Sequence, residues 1–516
     1  MFIIIERRKF LVAFQVKQII KGTTYVYESV GVWDKEKKQA RHQRVCIGKL
    51  DPITGELIPS RRLDKPTASR DYGSYYFLDE IAKKCGLKDV LKDIFKKNWK
   101  EILTCAFYEV CEKKPMYLCE EWNDLSVTPC EKQLTSQRIS ELLKEISIDD
   151  RTNFFKKWSK LISEKEFIAF DITSISSYSK LIEMVEIGYN RDNEDLPQIN
   201  LGMLFGETSL LPVYYNLYPG SIKDVSTLAN LLKITSFLDI KEIKFVMDKG
   251  FYSAANINAM MKKSDNYKFT IAIPFNVSKA KNAVETVKNA INLPSNTILI
   301  KDQIAQAVTL NEKWNGQKVY VHVIFNPDKR VNEEKIFLKK ILLLEQELQS
   351  EKKVEDHENQ YNTYFKVKHL KSGIKVERIN EKIIDAMRHK GFCVILSNNI
   401  KNASEAIEIY RNKDVVEKSF DDMKNELDLN RLRIHSDKAM DGRIFIGFIA
   451  LIMQSHIHKG MKDKNLYDKY TKEKLLCQMK KIKKIEFSDS KKMIITEISK
   501  SQKEIFEAFN ITLPIK

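Results

Sequence analysis

A chain of 516 residues, 43% hydrophobic and 10% aromatic, is too long for one ordinary core and can bury more than one. It carries no Gly/Ser-rich or Pro-rich tract and no internal repeat, which argues against extended disorder. Its 87 Lys+Arg against 70 Asp+Glu leave a net charge of +17, an excess that favours a polyanionic partner, although a Lys-rich proteome leaves the same mark.

The eight cysteines, Cys46, Cys85, Cys105, Cys111, Cys119, Cys130, Cys393 and Cys477, form no C-x-x-C pair, which argues against a zinc site and fits thiols in a reducing cytosol. His456 and His458 stand two apart, a spacing that points two rings on a helix in different directions. The opening run Met1 to Phe14 is broken by Glu6, Arg7, Arg8 and Lys9 and reads as a strand rather than a cleavable signal. Ile444 to Met453 is too short to cross a bilayer and reads as a buried helix, so a cytoplasmic protein without a membrane role is expected.

In chain order, residues 10 to 60 alternate apolar and polar positions around a charged turn, Asp34 to Lys38, and predict a β-hairpin or small sheet within an N-terminal β-rich region, 1–70. From 71 to 164 the period turns helical, with apolar positions such as Leu78, Ile81, Leu87, Leu91 and Ile94. Ser136 to Ile148 reads there as a short amphipathic helix, either a helix-turn-helix reader or plain packing. At Phe167 the character changes: the apolar run Phe167 to Phe170 ends in Asp171. Strand-like runs at Gln198 to Phe205 and Leu211 to Leu217 lead to the turn Pro219-Gly220 and a helix from Asp224, and the strand Ile243 to Met247 again ends in an acid, Asp248. Alternating strands and helices predict an α/β sheet over 165–274 and 391–458. Residues 275–390 read as a β-rich insertion and 459–516 as a Lys-rich helical tail.

In an open α/β sheet, catalytic groups collect at the carboxyl ends of strands. Asp171 and Asp248 are both expected there, where an acid is expensive unless paired or bound to a cation; each alone also fits a cap or turn. A hard divalent ion needs further oxygen ligands. On a helix spanning about 404 to 429, Ile409, Val416, Phe420, Met423 and Leu427 form an apolar stripe, and Tyr410, Lys413, Glu417 and Lys424 fall along one edge of it. Geometry alone divides Glu417 between a metal ligand beside phosphate contacts and a solvated edge paired with Lys413, and Asp421 is a competing acid.

Tyr410, Lys413, Glu417 and Lys424 reproduce the spacing of the Tyr-Arg-Glu-Lys signature, and the sequence here resembles the DDE transposases of bacterial insertion sequences that carry it. Lys413 departs from the family's Arg, keeping the charge but losing the bidentate fork. Asp171-Ile172-Thr173-Ser174 and Asp248-Lys249-Gly250-Phe251 are similar to the first and second Asp motifs, and Pro219-Gly220-Ser221 with Asp224 to a family turn; Gly391-Phe392, Leu427 to Arg431 and Arg443 to Phe448 extend the resemblance over roughly 165 to 455. It implies a ribonuclease-H-like core interrupted by a β-rich insertion before the Glu helix. It implies two Mg2+ ions, replaceable by Mn2+, on Asp171, Asp248 and Glu417, with Tyr410, Lys413 and Lys424 on DNA. It implies cleavage at terminal inverted repeats and strand transfer into target double-stranded DNA, in a complex expected to be a homodimer. Trp314, inside the insertion, is read as core rather than as a platform for a flipped base. A regulator that only binds DNA and a nuclease that cuts without joining remain as rivals.

Overall fold

The structure is a computed structural model that describes every residue except 1–12, 35–38, 60–65, 163–166, 193, 238–243, 263–266, 301–302, 371–372, 428, 430, 488–492 and 515–516. Most of the expected first strand, all but the first residue of the charged turn after Trp33, and two positions of the motif from Leu427 to Arg431 lie outside the described residues.

The N-terminal segment is a four-stranded antiparallel meander of β1 (Ala13–Ile20), β2 (Thr23–Asp34), β3 (Gln39–Leu50) and β4 (Leu57–Pro59). Lys21 and Gly22, at φ 48° and 78°, make its first two-residue turn, where Gly supplies a positive φ at no steric cost. β5 (Pro66–Asp71) then leads into α1 (Gly73–Lys84), α2 (Leu87–Ile94), α3 (Trp99–Glu112), α4 (Cys119–Leu125), α5 (Ser136–Glu145) and α6 (Ile148–Ile162). Thr135 starts α5 by accepting the Arg138 amide on its hydroxyl.

The central sheet receives β6 (Phe167–Ser177), β7 (Gln198–Gly206) and β8 (Pro212–Pro219), then α7 (Asp224–Phe237), β9 (Lys244–Met247), α8 (Ala254–Met260), β10 (Lys268–Ala272) and α9 (Ser278–Val287). β11 (Thr297–Ile300), β12 (Gln303–Trp314) and β13 (Gln317–Phe325) follow. A small packet comes next, made of α10 (Pro327–Gln349), α11 (Glu358–Tyr364), β14 (Phe365–Leu370), β15 (Gly373–Arg378) and α12 (Asn380–Met387), with its own core of Ile341, Leu344, Leu348, Tyr361, Phe365 and Ile383. The chain returns through β16 (Phe392–Ser397), α13 (Ala403–Asn412), α14 (Asp414–Asp421), the short β17 (Arg431–Leu432) and α15 (Asp437–Asp463). It ends in α16 (Lys472–Lys480), β18 (Lys483–Phe487), β19 (Met493–Ile495) and α17 (Lys500–Ala508).

One large mixed sheet runs β11-β12-β13-β16-β10-β9-β6-β7-β8, with β17 added beside β6. β6 is antiparallel to β7 and parallel to β9, which is parallel to β10. Residues 275–390, expected as an insertion, are therefore divided: β13 pairs with β16 over six residues and carries β12 and β11 into the main sheet, and only the packet stands on a core of its own.

One further expectation is corrected, and a second is corrected in length while its burial stands. The tail after residue 459 is not simply helical, because β18 pairs with β5 and β19 and so closes a sheet with the N-terminal region. Its apolar residues Leu475, Leu476, Met479, Ile505 and Phe506 join the same core as α1 to α6, which explains why so Lys-rich a segment folds back. The apolar run Ile444 to Met453 is the middle of the 27-residue α15, which has the length and composition to cross a membrane; 78% of its most apolar window is buried inside the protein. α1, α3, α5 and the aromatic side chains of Phe154 and Phe155 in α6 pack against it.

α5 and α15 touch backbone to backbone. A Cβ on Gly442 would lie 2.1 Å from the Leu143 carbonyl oxygen, inside any real contact. The segment from Ser136 is thus committed to packing along its Ile139, Leu142 and Leu143 face. Gly442→Ala is expected to cost about 1–3 kcal/mol, the usual penalty of overpacking. A urea titration checks this; an unchanged midpoint would show that the two helices separate freely.

Candidate active site

The sheet register brings the first two acids together. Phe170 pairs with Met247 across the parallel strands β6 and β9, so Asp171 and Asp248, one residue further along each, come side by side where β9 ends. Asp248 stands at a strand end as expected. Asp171 does not: β6 continues to Ser177, because β7 goes on pairing with it through Gln198. It is the end of the neighbouring strand that opens space at Asp171.

Asp171 is partly buried, and its Oδ1 accepts the amide of Ile172 at 2.8 Å. Burial pushes its carboxyl up to about 6 against the opposing pull of that amide, Lys413 and Arg191, while the negative charge of Asp248 adds to the rise. Tyr410 donates its hydroxyl to Asp248 Oδ1 at 2.5 Å. Burial and the Asp248 charge hold that phenol protonated far above its ordinary range.

The helix expected over 404 to 429 is interrupted. α13 ends at Asn412, whose side-chain amide bonds the Glu207 carboxylate, and a new helix opens with the Val416 amide on the Lys413 carbonyl at 2.8 Å. After α14, residues Asp422–Glu426 form a wide turn with i→i+5 bonding. The stripe Ile409, Val416, Phe420, Met423 and Leu427 is buried as its periodicity predicts. The uniform 100° rotation that put Tyr410, Lys413, Glu417 and Lys424 on one edge does not hold across the two irregular turns. Lys413 Nζ reaches Glu417 Oε1 at 2.7 Å, but Lys424 Nζ turns to Asp192, 2.6 and 2.8 Å from its two carboxylate oxygens. Glu417 keeps 58% of its side chain exposed, and Asp421 is exposed as well.

Burial opposes the charge on Lys413, yet the Glu417 hydrogen bond and the negative charges of Asp248 and Asp171 hold its ammonium above the ordinary range. One cation is thus drawn to all three acids. Their all-oxygen donor set suits a hard divalent ion. Among the described residues no three His, Cys, Asp or Glu side chains are gathered into a metal-holding group, so the oxygen chemistry of the three acids suits a cation while their side chains are not drawn together around one position.

Other residues near the acids were not singled out from the sequence. Arg191 pairs with Asp224, reaches Ser174 Oγ at 3.3 Å and draws on the Asp171 charge. Asn200, buried within β7, donates to the carbonyls of Gly220 and Ile222, both at 3.1 Å, and pins the Pro219-Gly220 turn. The signal was an amide in a buried strand. A cleft of about 1130 Å3 runs from Asp248 and Tyr410 toward the packet, lined by Lys249, Lys281, Arg388 and Lys390 and by Phe275 and His389, whose rings stack 5.0 Å apart. The run Arg388-His389-Lys390 was its sequence trace. Trp314 lies elsewhere, donating its indole N–H to Asn258 Oδ1 at 2.7 Å and packing against the central core.

Residues 162–453, more than half of the chain, match the family model of the transposase DDE domain. The chain belongs to that family, that of transposases, whose DDE domains generally use divalent metals. Among solved structures the chain is similar to a cryo-EM structure of the piggyBac transposase synaptic complex with hairpin DNA, at 10% identity and a TM-score of 0.37, over 79% of this chain and 78% of that one. No curated protein matches the sequence.

Proposed function

We propose that this transposase is of the insertion-sequence, Tyr-Arg-Glu-Lys kind, and that it cleaves DNA at element ends and joins those ends to target DNA in a single site. The observation that carries the reading is the placement of Asp171 and Asp248 side by side on parallel strands, with Lys413 linking Glu417 to them. The order β8-β7-β6-β9-β10, antiparallel up to β6 and parallel beyond it, supports a ribonuclease-H-like core.

Asp171, Asp248 and Glu417 would hold two Mg2+ ions, or Mn2+ in their place. When bound, such ions neutralise the scissile phosphate and activate water or a DNA 3′-hydroxyl. Tyr410 holds Asp248 in one orientation through its hydroxyl. Lys413 and Lys424 contact neighbouring phosphates and position the strand without reading its sequence. The cleft beside Asp248 offers cations and a stacked ring pair to the strand beyond the cut, a combination suited to unpaired nucleotides. Residues 1 to about 160 bind the terminal inverted repeats, and two copies pair two ends in the bacterial cytoplasm.

The test is a plasmid carrying two inverted-repeat ends, assayed for cleavage and strand transfer with Mg2+, Mn2+ or Ca2+. Asp171→Ala, Asp248→Ala and Glu417→Ala are each expected to abolish both reactions while end binding survives, with Ca2+ inactive. Full cleavage by Glu417→Ala would transfer its role to Asp421. Cleavage without joining would make the protein a nuclease, and end binding without cleavage in the wild type a regulator.

Lys424→Ala, which removes the partner of Asp192, is expected to slow cleavage on any base sequence and to flatten the salt dependence of DNA binding. A normal cleavage rate on the same preparation would reduce this pair to surface.

A further inference from the structure

We propose that Lys413 is a built-in cation that occupies the acid cluster until a divalent ion displaces it, and so sets the metal affinity of the site. The inference rests on the proposed function, in that it takes Asp171, Asp248 and Glu417 as the metal-binding acids.

Three observations converge on Lys413. It sits at the junction of α13 and α14, with only 13% of its side chain exposed, and its ammonium bonds Glu417 Oε1 at 2.7 Å. The same ammonium lies 5.6 Å from the ring centre of Tyr410, whose hydroxyl holds Asp248. Asp171 and Asp248 also attract it. Asp171 and Asp248 stand on neighbouring strand positions and repel each other in a partly buried setting, and the positive charge of Lys413 relieves that repulsion.

The bond that Lys413 makes to Glu417 uses an oxygen that a metal ion would need. Glu417 has no other ion-pair partner among the described residues, so the two cations compete for one carboxylate. Entry of a divalent ion therefore expels the ammonium from Glu417. The freed side chain, still anchored at the helix junction, becomes available to a phosphate. Metal loading and DNA grip are thereby coupled through one lysine: the metal-free site stays closed on its own cation, and the loaded site presents that cation to the substrate.

The experiment measures Mn2+ binding to the full chain without DNA, by the loss of the free-Mn2+ paramagnetic signal, together with melting temperatures with and without Mn2+. Lys413→Gln is expected to bind Mn2+ at least about tenfold more tightly than the wild type, since a displaced competitor and a repelling charge are both removed. It should melt lower without metal and recover with saturating Mn2+. Lys413→Arg, which keeps the charge, should bind as weakly as the wild type, and it stands in if the Gln variant does not fold. Lys418→Gln, next to Glu417 in the chain but directed at the Tyr467 ring, should leave affinity within about twofold. Unchanged or weaker Mn2+ binding by Lys413→Gln would overturn the proposal, as would tighter binding by Lys413→Arg. Asp171→Asn separates the two levels: Mn2+ binding as tight as in the wild type would overturn the metal-site reading itself.

Discussion

Asp171→Asn is expected to abolish DNA cleavage and, in metal-free buffer at pH 8, to make the protein more stable than the wild type. Burial raises the Asp171 carboxyl to about 6 from its ordinary 3.8, so the fold favours its neutral form. The contribution of such a group is fully present below the unfolded value, fades as pH climbs from about 4 through about 6, and is then a net cost. A shift of roughly two pH units corresponds to about 3 kcal/mol. Asn removes the buried charge and keeps an acceptor for the Ile172 amide, so its stabilisation should be near zero at pH 4 and full above pH 7. Urea titrations at the two pH values, with chelator present, check it. A destabilised Asn variant at pH 8 would mean that the carboxylate serves the fold, and the case for a functional acid would lose its energetic support. The combination of lost activity and gained stability is what a site strained for function produces.

Arg443→Met is expected to be the most damaging single change away from the acids. Arg443 in α15 pairs with Glu109 in α3, with their side chains 9% and 1% exposed, and its other terminal nitrogen donates to the Leu427 carbonyl at 3.3 Å. One guanidinium thus ties the N-terminal helices, the long central helix and the end of the segment that carries Glu417. Removing it leaves a buried carboxylate without its cation, at a cost of about 3–5 kcal/mol. The double variant Glu109→Leu with Arg443→Met should recover much of that loss, because apolar replacements of a buried pair restore packing without an orphaned charge. A double-mutant cycle in urea measures the coupling. Additive losses, or a single loss below about 1 kcal/mol, would show that the pair holds nothing.

Local patterns that needed no partner were legible in the sequence. The apolar run before Asp171, the strand before Asp248 and the Pro219-Gly220 turn stand where they were read, and the stripe from Ile409 to Leu427 is buried, because side-chain alternation and helical spacing are properties of adjacent residues. Partner choice was not legible in this way. That β6 runs on past Asp171 depends on β7, and that Asp171 stands beside Asp248 depends on the register of two strands far apart in the chain. That β11 to β13 join the main sheet depends on β16, and the return of the tail depends on β5. That Lys424 bonds Asp192, 232 residues away, rather than any of the three acids, depends on where the two segments meet in space. Such pairings are decided by hydrogen bonds and charges that meet only when the chain has closed on itself. The residue types at the site were therefore readable one by one, while the arrangement of Lys413 among three acids belongs to the tertiary structure, since an ammonium chooses its carboxylate by distance in space rather than by spacing along the chain.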